Sequence, residues 1–240
     1  MTATSFPKRS SNTAEDLPSA PDTRVQPGWP EIAVALITYL ILIAALGLWM
    51  VQTSDEQAGL RGIIGMAANG VAGAIALLAA FALRIRDFRA FGFRATELKW
   101  LLAGAALGVF AFGLSFIIEG IYFLFITEVN TQADFQAAAH GGALSLLALL
   151  ITGALFTPFG EEVVFRGVIA NALNRYGMWA GVVGSAAIFA VVHGPSVILL
   201  DAFMAGILTG ILFRKTGSLW PSLAVHVVYN GLHLLYYSML

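Results

Sequence analysis

Charged residues divide this chain into long uncharged segments. Asp, Glu, Lys and Arg are absent from residues 32–54, 62–83, 100–118, 135–160, 176–200 and 216–240. About 20 consecutive apolar residues are enough for a helix to cross the hydrocarbon core of a bilayer. The pattern therefore predicts seven membrane-spanning helices, which we place at residues 31–51, 62–84, 100–127, 143–174, 178–193, 195–213 and 218–238.

The composition supports the same fold class and excludes others. Hydrophobic residues make up 58% of the chain and charged residues 11%, whereas soluble domains average about 45–50% and about 25%. We expect an all-α, polytopic membrane helical bundle of about 7–8 transmembrane helices. A net charge of −1 argues against nucleic-acid binding, and the absence of cysteine excludes disulfides and thiolate chemistry.

The polar segments predict how the chain is arranged across the membrane. Residues 1–30 are rich in Ser, Thr, Pro and mixed charge, which is typical of a flexible cytoplasmic tail. Residues 31–240 form the membrane-embedded bundle. Five basic residues lie in the loop at 84–99 and, by the positive-inside rule, place it in the cytoplasm: Arg84, Arg86, Arg89, Arg94 and Lys99. We expect a multi-pass protein of the inner or plasma membrane, with its N-terminus in the cytoplasm.

A pair of glutamates falls inside the fourth predicted span. Ionisable side chains are expensive in hydrocarbon and usually face a protein interior or a cavity. Glu162 and Arg166 are four residues apart, so they share a helix face and can pair. Glu161 points about 100° away without a local cation, which suits a general base. The alternative is that both carboxylates bind Arg166 and only hold helices together.

Two later spans carry histidines. His193 comes just before a Gly-Pro pair that ends or kinks its helix, and His226 and Asn230 share a face at i and i+4. The imidazole N–H of His226 and the amide N–H of Asn230 are two donors that can stabilise an oxyanion together. The simpler interpretations are that His193 is a structural histidine and that His226 and Asn230 make a hydrogen bond between helices. Helix rise brings these residues and Glu161 to a similar depth.

The same residues leave metal chemistry open. Glu161, His193 and His226 are also the donor types of a zinc site, although the chain lacks a His-Glu-x-x-His motif. Three further polar residues fall within predicted spans and receive no role from the sequence: Glu119, Asp201 and His233.

Three motifs together carry a family resemblance. In chain order they are Glu161-Glu162-x-x-x-Arg166, Phe189-x-x-x-His193 and His226-x-x-x-Asn230. The set resembles the motifs of the CPBP family, the CAAX-protease and bacteriocin-processing intramembrane proteins, which are also called the Abi family. The resemblance covers about residues 143–235, where we expect the catalytic core, and it implies a helical bundle whose cavity opens toward the cytoplasm.

The resemblance also implies a reaction. Glu161 would activate a water that His193 helps to bind, and His226 with Asn230 would stabilise the oxyanion. Glu162 and Arg166 match supporting positions in the same motifs.

The expected function is that of an intramembrane endopeptidase embedded in the lipid bilayer. Its substrate would be a hydrophobic or lipid-modified peptide or the terminus of a membrane protein. This mechanism needs no cofactor, and a zinc metalloprotease remains open. The sequence does not give the oligomeric state. Two other functions stay in competition: a proton-coupled transporter, since intramembrane Glu and His also act as relays, and a non-catalytic membrane scaffold or immunity protein.

Overall fold

The computed structural model describes residues 26–240, and most of the predicted tail, residues 1–25, lies outside the described part. These residues form eight helices and no strand, which confirms the predicted all-α bundle. In chain order the helices are α1 (Trp29–Met50), α2 (Ala58–Leu83), α3 (Leu98–Phe123), α4 (Ala133–Ala139), α5 (Ala143–Tyr176), α6 (Trp179–Val191), α7 (Val197–Thr216) and α8 (Leu219–Tyr237).

Seven of the eight helices lie where spans were predicted, and the short α4 was not foreseen. By length and composition, α1, α2, α3, α5 and α7 are able to cross a membrane. Helix α6 ends at Val191 because Gly194 takes a left-handed backbone conformation and Pro195 follows it. At 1.5 Å per residue, α6 is roughly 20 Å long, which is shorter than the hydrocarbon core.

Helix α5 is irregular around the two glutamates. Residues Leu150–Phe156 and Val163–Ala170 have the wider turns of a π-helix, and Thr157–Glu162 between them is α-helical. Single π turns within α-helices are frequently found at functional sites. Both glutamates therefore sit in one regular α-helical segment between two widened ones.

Close contact with α2 fixes the position of that regular segment. A Cβ atom on Gly73 would collide with the backbone of Gly160, and one on Gly70 would collide with the backbone of Phe156. Small residues of this kind allow helix backbones to approach closely in membrane proteins. The contact places Glu161, the next residue after Gly160, beside the middle of α2.

Ion pairs connect the helices at both ends of the bundle. Arg61 of α2 donates two hydrogen bonds of 2.6 Å to Asp134 of α4. At the opposite end of α2, Arg84 pairs with the fully buried Glu31 of α1 at 2.7 Å. These links hold α1, α2 and α4 in register around the interior.

Candidate active site

One cavity inside the bundle collects the predicted site residues. It has a volume of about 200 Å³ and is lined by side chains from all helices except α1. The four residues predicted to carry the chemistry all line it: Glu161, His193, His226 and Asn230. The supporting pair, Glu162 and Arg166, is buried immediately behind them.

Glu161 is held by a chain of hydrogen bonds from the N-terminal helices. Its carboxylate is 3% exposed, and Oε1 accepts a 2.7 Å hydrogen bond from Nδ2 of Asn69 on α2. The amide oxygen of Asn69 in turn accepts a 2.6 Å bond from the hydroxyl of Tyr39 on α1. Neither partner was predicted from the sequence, in which the only signal is an isolated amide and an isolated hydroxyl within apolar spans.

His193 presents a lone pair to Glu161. Its Nδ1 lies 2.8 Å from the carbonyl oxygen of Phe189, and a carbonyl can only accept, so Nδ1 carries the hydrogen. In the neutral ring Nε2 is then an acceptor, and it lies 3.9 Å from Oε1 of Glu161. Nε2 of His193 and Oε1 of Glu161 are both acceptors, and the distance between them is longer than a hydrogen bond. A molecule that donates a hydrogen bond to each of them, such as water, suits this arrangement.

His226 lies between the two glutamates. Its Nδ1 is 3.0 Å from Oε1 of Glu162, and its Nε2 is 3.4 Å from Oε2 of Glu161. The hydrogen on Nδ1 is thus directed to Glu162, so His226 has only Nε2 left for a reacting group. A hydrogen-bond donor at Nε2 therefore requires the imidazolium form.

Glu162 and Arg166 form the layer behind His226. The expected pairing at i and i+4 is present, with Nε of Arg166 3.4 Å from Oε2 of Glu162. Arg166 is completely buried, donates to the hydroxyl of Thr209 on α7 and packs over the Phe189 ring at 4.6 Å. Glu162 thus orients an imidazole with one oxygen and faces a guanidinium with the other.

Asn230 uses part of its amide to connect two helices. Its Nδ2 donates a 3.0 Å hydrogen bond to the carbonyl oxygen of Gly153, in the first π segment of α5. One of the two N–H groups of Asn230 therefore makes a hydrogen bond between helices, as the simpler interpretation of the sequence predicts. The second N–H is available to the cavity that Asn230 lines.

Comparison with known protein families adds evidence of a different kind. Residues 143–232 match the family model described as "Type II CAAX prenyl endopeptidase Rce1-like". This segment, here called the Rce1-like domain, is similar to that family over less than half of the chain. The match is consistent with the CPBP resemblance and supports an intramembrane protease of the CAAX type in general. Comparisons with curated proteins and with solved structures gave no match.

The Rce1-like domain does not build the cavity alone. It supplies the four predicted site residues, but Asn69 and Glu119 come from α2 and α3, before the domain begins. The N-terminal helices thus add polar groups to the site, in addition to the packing surface that they provide. The structure also places Glu119, Asp201 and His233 in the same cavity.

The donor geometry does not match a metal site. Among residues 26–240, no group of three or more His, Cys, Asp or Glu side chains is arranged to hold a metal ion. The Rce1-like domain brings Glu161, His193 and His226 together, and the Nδ1 hydrogen bonds of both imidazoles leave each Nε2 free, but these three side chains do not form a group of that kind. We therefore derive no step through zinc.

Proposed function

We propose that the chain is an intramembrane endopeptidase in which Glu161 activates a water to hydrolyse a peptide bond. The observation that carries the proposal is the approach of two imidazoles to one buried carboxylate inside a cavity: Nε2 of His193 and Nε2 of His226 lie 3.9 and 3.4 Å from Glu161. A carboxylate and an imidazole acceptor on either side of one water can hold it and remove its proton.

The reaction would begin with the carboxylate form of Glu161. Its oxygen takes a proton from the water while the water oxygen forms a bond to the carbonyl carbon of the substrate. Nε2 of His193 accepts the second hydrogen of the water and so orients it. The product of this step is a tetrahedral intermediate with a negative oxygen, and Glu161 is now a carboxylic acid.

His226 and Asn230 would stabilise that negative oxygen. His226 is held with Nδ1–H on Glu162, so it donates to the negative oxygen through Nε2–H when its ring carries both hydrogens. The unused N–H of Asn230 is the second donor. Glu161 then returns its proton to the amide nitrogen, the C–N bond breaks, and a carboxyl group and an amine are released.

The proposed substrate is a hydrophobic or lipid-modified peptide, or the terminus of a membrane protein. The cavity lies within a bundle whose helices carry large exposed apolar side chains, such as Ile37, Leu48 and Leu102, so substrates that partition into the bilayer reach it most readily. We place the N-terminus in the cytoplasm, from the basic loop at 84–99.

The decisive experiment replaces Glu161 by Gln. The purified full-length chain in lipid nanodiscs is incubated with a farnesylated Cys-aliphatic-aliphatic-X peptide and with the same peptide lacking the farnesyl group, and products are identified by mass. We expect the E161Q variant to lose about 10²–10⁴-fold in kcat, the usual contribution of a general base. E97Q, at an exposed loop carboxylate paired with Lys99, is the matched control.

Three results would redirect the proposal. Full activity of E161Q would remove Glu161 from the base role. Loss of wild-type activity on chelation, with recovery on addition of Zn²⁺, would require a metal in the mechanism. No cleavage of either peptide by the wild-type chain would favour the scaffold or transporter alternatives.

A further inference from the structure

The part of the cavity away from Glu161 holds a second acidic feature. Glu119 on α3 and Asp201 on α7, here called the far carboxyl pair, both line the cavity and lie close enough to interact directly. Asp201 is 2% exposed, and among residues 26–240 the only side chain placed to share a hydrogen with its carboxyl oxygens is Glu119. Tyr229 and Tyr237 of α8 lie close to the pair.

The described chain supplies no cation to this pair. None of the ion pairs among residues 26–240 includes Glu119 or Asp201. The third histidine of the lining, His233, is engaged elsewhere: its Nε2 is 3.1 Å from the Ser115 hydroxyl, and its ring packs edge-on against Phe112. Two adjacent carboxyls inside a membrane protein require either a shared proton or a positive group from outside the chain.

The size and chemistry of the site favour a basic side chain. Calcium or magnesium requires six or more oxygen ligands, whereas an ammonium or guanidinium is satisfied by two carboxyl groups and nearby hydroxyls. Resting on the proposed protease function, we propose that the far carboxyl pair binds the lysine or arginine side chain of a substrate peptide. Glu119 and Asp201 would then be specificity-determining residues.

Helix α8 gives the distance between this subsite and the reacting atoms. Tyr229 and Tyr237, which lie close to the far carboxyl pair, follow His226 by three and eleven residues, which corresponds to roughly 5 and 16 Å along the helix. An extended peptide advances about 3.3 Å per residue. The basic side chain should therefore belong to a residue about two to five positions from the cleaved bond.

The test measures binding in a variant that cannot cleave. Full-length E161Q protein in nanodiscs is titrated with fluorescent hydrophobic peptides that carry one lysine at successive positions, each compared with the same peptide carrying norleucine. We expect one position at which lysine binds about tenfold or more tightly, in line with hydrogen bonds to charged groups. Adding D201N, or separately E119Q, should reduce the lysine-to-norleucine ratio to about one, whereas adding E97Q should not change it.

The outcomes separate this inference from the protease mechanism. Equal affinities for lysine and norleucine at every position, or a ratio that survives both D201N and E119Q, would overturn the subsite. That result would favour a carboxyl pair that shares a proton and has only a structural role. A clear lysine preference in E161Q, together with no cleavage by the wild-type chain, would support the subsite and reject the peptidase function.

Discussion

The carboxyl groups at the two ends of the cavity differ in how many hydrogen-bond and charged partners the chain supplies to them. At one end Glu161 accepts from Asn69 and faces two oriented imidazoles. Glu162 accepts from His226 with one oxygen, and its other oxygen forms an ion pair with Arg166 at 3.4 Å without a hydrogen bond. At the other end both oxygens of Asp201 are buried, and the described residues supply no cation to them. Groups whose partners are all within the chain are fixed before a ligand arrives. Groups without partners are suited to a ligand that brings one.

The largest expected effect comes from removing Glu162, because this leaves the buried charge of Arg166 without a partner. Glu162→Ala would leave Arg166 buried without its carboxylate, which typically costs about 3–5 kcal/mol. We expect the midpoint of thermal unfolding to fall by roughly 10 °C, together with a loss of cleavage because His226 is no longer oriented. E97A, which removes an exposed pair with Lys99, should leave stability nearly unchanged; an equally stable E162A would contradict this account.

Asn230→Ala should come next and should act on the rate. Removing one oxyanion donor lowers kcat by about 10²–10³-fold, so we expect that loss with KM little changed. The matched control is Asn171→Ala, since Asn171 also donates to backbone carbonyls from α5 but lies outside the cavity. If N230A only loses stability, to the same extent as N171A, Asn230 is a link between helices and nothing more.

Asn69→Ala tests the support that Glu161 receives from α2. Losing a hydrogen bond to a charged group costs about 1.5–3 kcal/mol, and we expect kcat to fall about tenfold with KM unchanged. Tyr39→Phe removes the hydrogen bond from Tyr39 to Asn69 and should lower kcat by a smaller factor than Asn69→Ala does. Unaltered kcat in N69A, measured on the peptides used for E161Q, would mean that the imidazoles alone position Glu161.

Asp201→Asn should give the smallest effect, and of opposite sign. Replacing a buried carboxyl to which the described chain supplies no cation removes a desolvation cost, so we expect stability to rise by about 1 kcal/mol and the unfolding midpoint by about 2–4 °C. The measurement is the midpoint of thermal unfolding, obtained by differential scanning calorimetry of the protein without peptide. A large drop in the midpoint would show that Asp201 has a partner in the folded state, and the contrast between the two ends would disappear.

The sequence predicted the parts of this site whose signal is local. Uncharged runs identified the helices, and the i, i+4 spacings of Glu162 with Arg166 and of His226 with Asn230 describe single helix faces. The hydrogen bond from His226 to Glu162 was missed because it joins residues 64 apart. Asn69 was missed because one amide in an apolar span has no periodic pattern. The pairing of Glu119 with Asp201 was missed because it depends on how α3 and α7 pack.

The widened turns of α5 have a consequence for changes in chain length. A π turn holds one residue more than an α turn, so a single deletion within Leu150–Phe156 or Val163–Ala170 can be absorbed by conversion to ordinary α-helix. The same deletion within Thr157–Glu162 would rotate the following residues by about 100°. One residue can therefore be deleted from the π segment on either side of the two glutamates without turning the rest of the helix. No residue can be deleted in this way from Thr157–Glu162.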